Sequence, residues 1–385
     1  MNKFYFLLLL IILLAFFLRI FKLDLTPPSL TWDETAVGYN AYTIANYGKD
    51  EYGESFPLYF RSFGEDKQPI HIYITALFVK LFGLNELTTR LPAAIFGILN
   101  VFLIFFLAKA LFGNEWIGLL ASLFLAISPQ NIHFSRFNHE ANFALFFFML
   151  GILLFLKSLK INRFFLPLSI ITLFLSTISY HAAEIVTPLV SLLLPILYFK
   201  QLKQNKRFLL TTIVLIVVFI IFSFHQTRLL GINRLNQTGI GNIDIESTEL
   251  FKSTHNYLLG RINLVLVQYL YHFRPEFLFI SGDKNPVLSS QGAGEFYFVD
   301  SLFMFFGVFY LIKKRSKEGL LLLGWGLAGP LPSSLFVPAP HAGRTVFMMG
   351  SYQLISAVGV FRSDDAGLAS RRLARLMRIV TPEAS

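Results

Sequence analysis

The stretch "PIHIYITALFVKLFG", Pro69–Gly83, is the one on whose reading the architecture of this chain turns. It is apolar enough to pass for a membrane-crossing helix. Yet it carries Lys80 and falls short of the ~20 residues that a bilayer core requires of a helix. If it crossed, every later loop would change sides. Ten other apolar runs flank it: Phe4–Ile20, Leu91–Phe112, Trp116–Ile127, Phe143–Leu156, Phe164–Ser179, Ile185–Phe199, Phe208–Phe224, Ser301–Ile312, Leu320–Val337 and Val346–Phe361. With the N-terminus cytoplasmic and one crossing per run, the inside segments are "MNK", "AKALFGNEW", "KSLKINR", "KQLKQNKR", "KKRSKE" and "RRLARLMR". Nearly every dense basic cluster then lies on one side, as cytoplasmic loops require. Letting Pro69–Gly83 cross would turn those clusters outward. The segment is therefore expected to lie as a helix in the outer interface.

The composition agrees with this scheme. Of 385 residues, 55% are hydrophobic and 15% charged, with a mean hydropathy of +0.60, too little charge to cover a soluble surface. The expectation is an all-α, multi-pass protein of the cell (inner) membrane with about ten transmembrane helices. Residues 1–362 would form one transmembrane domain. It would carry a first outside loop at 22–90 with interfacial helices, and a late outside loop at 227–300. The tail 363–385 has Arg and Ala but no Lys or Phe, and reads as a cytoplasmic amphipathic helix or as a foreign end. "RIFKLDLTPPS" has no small-x-small cleavage site, so the first run reads as an uncleaved anchor. The net charge of +10 sits in the inside loops and calls for no nucleic-acid partner. The absence of cysteine excludes disulfides and thiolate chemistry. "GIGN", Gly239–Asn242, lacks the Lys-Ser/Thr of a nucleotide loop.

Ionisable residues gather in the outside segments, where groups at membrane depth are functional candidates. "LTWDETAVGYNAY", Leu30–Tyr42, brings Trp32, Asp33, Glu34 and Tyr39; "GEDKQPIH" brings Glu65, Asp66, Lys67 and His71. "HFSRFNHE" brings His133, Arg136, His139 and Glu140; "SYHAAE" brings Tyr180, His181 and Glu184; "PAPHAGRT" brings His341 and Arg344. Each has a plainer reading. Thr31 would cap a helix with Asp33 and Glu34 in its first turn. Arg136 would anchor a helix end at the headgroups, and Arg344 would snorkel beside a span. Trp32, Tyr39 and Tyr42 would stack on a sugar or sit in the interfacial aromatic belt. His133 and His139 match no standard zinc spacing, so no metal ligands are assigned.

An acidic pair after the first span, a Lys-x-Pro segment opening an apolar helix, and "ELTTRLPAAIFGILNVFLIFFLAKALFG" resemble the bacterial relatives of protein O-mannosyltransferases and the lipid A aminoarabinose transferases. The likeness spans roughly Met1–Lys200 and continues loosely through "YLYHFRPEFLFISGD" and "PHAGRT". It implies the C-type glycosyltransferase fold, a polyprenyl-phosphate sugar donor and a hydroxyl acceptor on protein, lipid or glycan. It places the acceptor-activating base at Asp33, with Glu34 or Glu140 orienting it or holding a divalent cation. Lys67 matches a phosphate-contacting lysine, although this chain reads "KQP" where the aminoarabinose transferases read Lys-Pro-Pro. Arg136, His341 and Arg344 are the other cations for the donor phosphate, and Trp32, Tyr39, His139, Tyr180 and His181 the substrate contacts. The implied reaction is an inverting transfer at the outer face. Two rivals stand beside it: a flippase or transporter of lipid-linked or anionic substrates, and an O-antigen ligase or polymerase using His272, Arg274 and Glu276 of the late loop.

Overall fold

A computed structural model describes residues 3–63 and 65–362. The tail 363–385, and the side chains of Glu65 and of residues 225–238, lie outside the described residues. The first half contains α1 (Lys3–Ile20), α2 (Trp32–Tyr47), strands β1 (Phe60–Ser62) and β2 (Glu65–Lys67), α3 (Pro69–Phe82), α4 (Glu86–Phe112), α5 (Glu115–Ile127), α6 (Pro129–Arg136) and α7 (Ala141–Lys160). Then follow α8 (Phe165–Thr177), α9 (Ala183–Leu197), α10 (Phe199–Leu202), α11 (Lys206–Thr238), α12 (Asn242–Glu246), α13 (Glu249–Thr254) and α14 (Tyr257–Tyr271). A π-helical turn, Glu276–Ile280, leads to α15 (Phe298–Lys314), α16 (Lys317–Ala328) and α17 (Leu331–Ser334). A 3₁₀ helix, Gly343–Met348, precedes α18 (Ser351–Arg362).

Eight of the ten apolar runs fall each on one helix, with corrections at the edges, and Val346–Phe361 is divided at Met349-Gly350 between the 3₁₀ helix and α18. Among the described residues, α1, α4, α7 and the 206–224 part of α11 are long and apolar enough to cross a membrane, and α5 with α6 forms a further pair bent by 57°. The run Leu320–Val337 is not one helix: α16 stops at Ala328, and Gly329-Pro330 turns the chain into the single turn of α17. Helix α11 continues to Thr238, well past the expected end at Phe224. The all-α expectation also needs amending, because β1 and β2 pair antiparallel from Phe60↔Lys67 to Ser62↔Glu65.

The helices are joined where small residues let backbones meet. A Cβ on Gly307 of α15 would lie 2.0 Å from the carbonyl oxygen of Ile355, and one on Gly359 of α18 would lie 2.0 Å from that of Phe303. Dispersion between closely apposed helices is the available glue in lipid. Pro129 breaks the helix after Ile127, and at this end the Leu125 carbonyl keeps only a long 3.4 Å bond from the amide of Ser128. Arg19, fully buried on α1, donates here: Nη1 to Ala126 O at 2.9 Å, and Nη2 to Leu125 O at 3.1 Å and Asn131 Oδ1 at 2.7 Å.

The segment 22–90 folds on a small core of its own. Val37, Ala41 and Ile44 of α2 meet Phe60 and Ile72, Ala76 and Val79 of α3. The opposite side of α3 exposes Leu77, Leu81 and Phe82. At the start of α2, Thr31 and Glu34 form a reciprocal capping box: Glu34 N donates to Thr31 Oγ1 at 3.2 Å, and Thr31 N to Glu34 Oε2 at 3.0 Å.

Candidate active site

The capping box decides where the acidic pair points. Glu34 faces inward, fully enclosed, with Oε1 2.9 Å from Arg90 Nε and 3.3 Å from the amide of Asn138. Its carboxylate is thereby spent on structure and offers no seat for a cation. Asp33, one residue earlier on the helix, faces the other way and is half exposed. It forms an ion pair with Lys67, whose side chain is buried.

Both neighbours of Lys67 are tied to the entry of α9. His181 Nε2 donates to Asp66 O at 2.9 Å, and Gln68 Nε2 donates to Glu184 Oε1 at 2.7 Å. The ammonium is thus set by contacts on either side in sequence. A lysine has three N–H donors, so pairing with Asp33 leaves donors for another oxygen.

Asp33 and Lys67 line a polar cavity of about 410 Å³, together with Trp32, His71, His139, Glu140, Tyr180, His341 and Arg344. Glu140 enters as the residue before α7. Burial works to raise its pKa, but the imidazoles of His71 and His139 and the Lys67 ammonium outweigh it and hold the carboxyl below the ordinary carboxylate range. His139 Nδ1 accepts the amide of Ala141 at 3.1 Å, and the ring stands edge-on to Tyr180 at 5.4 Å between centroids. His71, on α3, is fully buried, and burial pushes its imidazole down to about 4.

The late loop supplies the remaining wall. Asp283 Oδ2 accepts the amide of Ala342 at 2.7 Å, which anchors the 3₁₀ helix carrying Arg344. Gln130 donates to Leu288 O at 2.8 Å, and His133 Nε2 to Val287 O at 2.9 Å, so α6 holds the loop over the cavity. His133 is thus a fastening of the loop.

A second cavity of about 520 Å³ adjoins the first, sharing Tyr180 and Arg344. Its walls are largely apolar, with Ile185, Val265, Leu335 and Phe336, and its charged residues are Arg261, Arg344 and Glu184, with His181 beside them. The guanidinium of Arg344 stands 5.3 Å from the ring centroid of Phe336.

The expected residues separate on this geometry. The polar cavity brings together Trp32, Asp33, Lys67, His139, Glu140, Tyr180, His341 and Arg344, and the apolar one takes His181. Glu34 is placed in the Arg90 pair instead. Arg136 lines neither cavity: its guanidinium donates to the carbonyls of Leu18, Phe21, Lys22 and Thr26 and closes the end of α1. Tyr39 is half exposed on α2, outside both linings. Among the described residues no three His, Asp or Glu side chains cluster as a metal site would need. Arg261 drew no notice in the sequence, although a lone arginine within "YLLGRINLVLV" is the signal that marks such a site.

Comparison with known proteins bears on the family and the fold. Residues 66–224 match the family described as dolichyl-phosphate-mannose-protein mannosyltransferase. YycA of Bacillus subtilis (strain 168), a protein named for mannosyl transfer, is 30% identical over 95 residues, 25% of this chain and 14% of that protein. Among solved structures, the archaeal oligosaccharyltransferase AglB from Archaeoglobus fulgidus, in complex with an inhibitory peptide and a dolichol-phosphate, aligns with a TM-score of 0.57 at 15% identity. The alignment covers 100% of this chain and 52% of AglB. ArnT from Cupriavidus metallidurans, bound to undecaprenyl phosphate, aligns with a TM-score of 0.57 at 14% identity, covering 94% of this chain and 60% of ArnT. At such identities the fold is what is shared. The chain spans little more than half the length of these solved relatives.

Proposed function

We propose, for a chain that carries a mannosyltransferase family domain over residues 66–224 and the C-type glycosyltransferase fold, an inverting glycosyl transfer. The sugar passes from a polyprenyl-phosphate donor to a hydroxyl acceptor at the outer face of the cell membrane. The observation that carries this is the meeting of two unlike cavities at Tyr180 and Arg344, with the Asp33–Lys67 pair in the polar one. A lipid-linked sugar phosphate has the same division: an isoprenoid for apolar walls, a sugar for polar walls, and a phosphate between them.

In this reading Arg344 receives the phosphate at the seam, where arginine's planar fork suits phosphate oxygens. His341 and a free donor of Lys67 assist, and Arg261 supplies a second cation from the apolar side. Asp33 accepts the proton of the acceptor hydroxyl as that oxygen attacks the anomeric carbon. The anomeric carbon–oxygen bond breaks as the new one forms, and the electron pair leaves on the polyprenyl phosphate. Fixed cations meet the charge that grows there. One displacement inverts the anomeric configuration. Glu140 and His139 border the reacting centre, and Trp32 covers it from α2.

The placement of basic clusters supports ten crossings with the N-terminus cytoplasmic, and both cavities then open outward. The test is transfer of labelled sugar from a polyprenyl-phosphate donor in membranes, comparing wild type with Asp33→Asn at equal expression. Loss of transfer with retained donor binding supports the scheme. Unchanged transfer removes Asp33 as base. Donor translocation without transfer in both proteins favours the transporter reading.

A further inference from the structure

Helix α2 has two unlike faces. Val37, Ala41 and Ile44 are buried against α3, while Trp32, Thr35, Tyr39, Tyr42, Asn46 and Tyr47 are exposed. Spacings of three and four residues from Trp32 to Asn46 set these side chains in one row, roughly 20 Å long at ~1.5 Å per residue. Tyr47 flanks its far end, edge-on to Tyr42 at 6.4 Å between ring centroids. From Thr35 to Tyr47 the helix has no charged residue. Between the rings, Thr35 Oγ1 donates to Thr31 O and Asn46 Nδ2 to Tyr42 O, each at 2.9 Å. The Thr35 hydroxyl oxygen and Asn46 Oδ1 thus serve as acceptors along the row.

The chemistry of the row narrows its occupant. The membrane-length helices α1 and α11 expose Leu9, Leu13, Val214, Val218 and Ile221, whereas the row on α2 has no Leu, Ile or Val. A charged headgroup finds no ion partner there. An extended peptide needs backbone partners, and a helix offers none, because its own N–H and C=O groups pair within it. An uncharged sugar meets every feature. The C–H bonds of a pyranose face pack on the electron-rich face of an aromatic ring, and its hydroxyls donate to Thr35 and Asn46. The position of the row adds to this. Trp32 is its first member and also lines the polar cavity beside Asp33, so the row leads into the cavity.

We propose that the exposed face of α2 is the acceptor track: an uncharged oligosaccharide lies over Trp32, Tyr39 and Tyr42 and presents a hydroxyl at its end to Asp33. This rests on the reading of the polar cavity as the transfer site and adds to it the class of acceptor. Tyr39 and Tyr42 stand outside the cavity, so their part is affinity for a long acceptor.

The experiment titrates the full chain in lipid nanodiscs with maltohexaose, cellohexaose and mannohexaose, following tryptophan fluorescence, and separately with undecaprenyl phosphate. At least one hexasaccharide is expected to bind. The double variant Tyr39→Ser, Tyr42→Ser is expected to weaken it about tenfold or more and to bind undecaprenyl phosphate as wild type does. Tyr39→Phe with Tyr42→Phe, which keeps both rings, is expected to retain most of the affinity. Failure of all three sugars to bind, or equal binding by the double serine variant, would overturn the proposal. Tyrosine-dependent binding of a neutral serine-rich peptide in their place would assign the face to a polypeptide and overturn it as well. So would fluorescence quenching of Tyr39→Trp, beyond that of wild type, by phospholipids brominated near the headgroup, because lipid then covers the face. A wild type that holds a hexasaccharide through the tyrosines but binds no undecaprenyl phosphate sinks the donor reading alone.

Discussion

Arg90 Nε lies 2.9 Å from Glu34 Oε1, and neither side chain is exposed to solvent. The same guanidinium donates to the carbonyls of Leu23, Pro27 and Ser29, so one residue of α4 gathers the chain leaving α1 and the start of α2. Removing one partner of such a pair leaves the other charge buried alone. Glu34→Gln and Arg90→Met are expected to cost about 3–5 kcal/mol of stability each. Asp33→Asn, on the exposed side of the same turn, should stay within about 1 kcal/mol of wild type. Thermal unfolding of the three variants in one detergent checks this, and equal losses for Asp33→Asn and Glu34→Gln would contradict it.

Two arginines that look alike in the sequence should part company. Arg344→Ala is expected to weaken binding of a polyprenyl-phosphate donor about tenfold or more, through loss of charge-assisted contact with the phosphate. Arg136→Ala should leave donor affinity unchanged and lower stability by about 1–3 kcal/mol, because its bonds go to carbonyls at the end of α1. Donor titration beside a melting curve, on both variants, separates the two roles. A donor-binding defect in Arg136→Ala would return that residue to the site.

How far these placements were legible depends on distance along the chain. Asp33 announced itself through its neighbours: a cap at Thr31 and an acidic first turn are local patterns. That Glu34 turns inward depends on Arg90, 56 residues away, and no local pattern carries that. The end of α16 was visible in principle, since "AGP" at 328–330 is a helix-stopping signal inside an apolar run, but hydropathy alone smoothed over it. The cavities could not be read at all. They arise from α2, α3, α9, the loop before α7 and the 3₁₀ helix meeting, and only the tally of outward polar residues hinted at their convergence.

The buried imidazole makes stability depend on pH in a definite direction. Burial holds His71 at about 4, below the ordinary value of 6.5, so between those values the unfolded chain binds a proton that the folded chain refuses. Stability therefore falls as pH drops from about 6.5 toward 4, by at most about 1.4 kcal/mol per unit for this one group. His272, also buried and held at about 4, adds a like slope. His71→Phe should reduce the pH dependence of unfolding by about one proton's worth. An unchanged slope would show that His71 takes up its proton while folded.

The contact between α15 and α18 leaves no room for a side chain. Gly359→Val would drive a Cβ into the carbonyl of Phe303, so the helices must separate or the chain fails to assemble. The expected loss is at least about 1–3 kcal/mol. Gly292→Ala, where the nearest atom stands 3.9 Å from an added Cβ, serves as the control. Comparing the monodisperse yield of the two variants tests the contact.

The bonds of Arg19 also bear on biosynthesis. Its partners, Leu125, Ala126 and Asn131, stand 106 to 112 residues later in the chain. At a synthesis rate of ~5–20 residues per second, α1 exists for roughly five to twenty seconds before the carbonyls that receive its guanidinium have been made. During that interval the nascent chain must keep a positive charge at the C-terminal end of its first helix in contact with water or headgroups. The docking of α1 is therefore a late event of assembly, although α1 is the first helix to emerge.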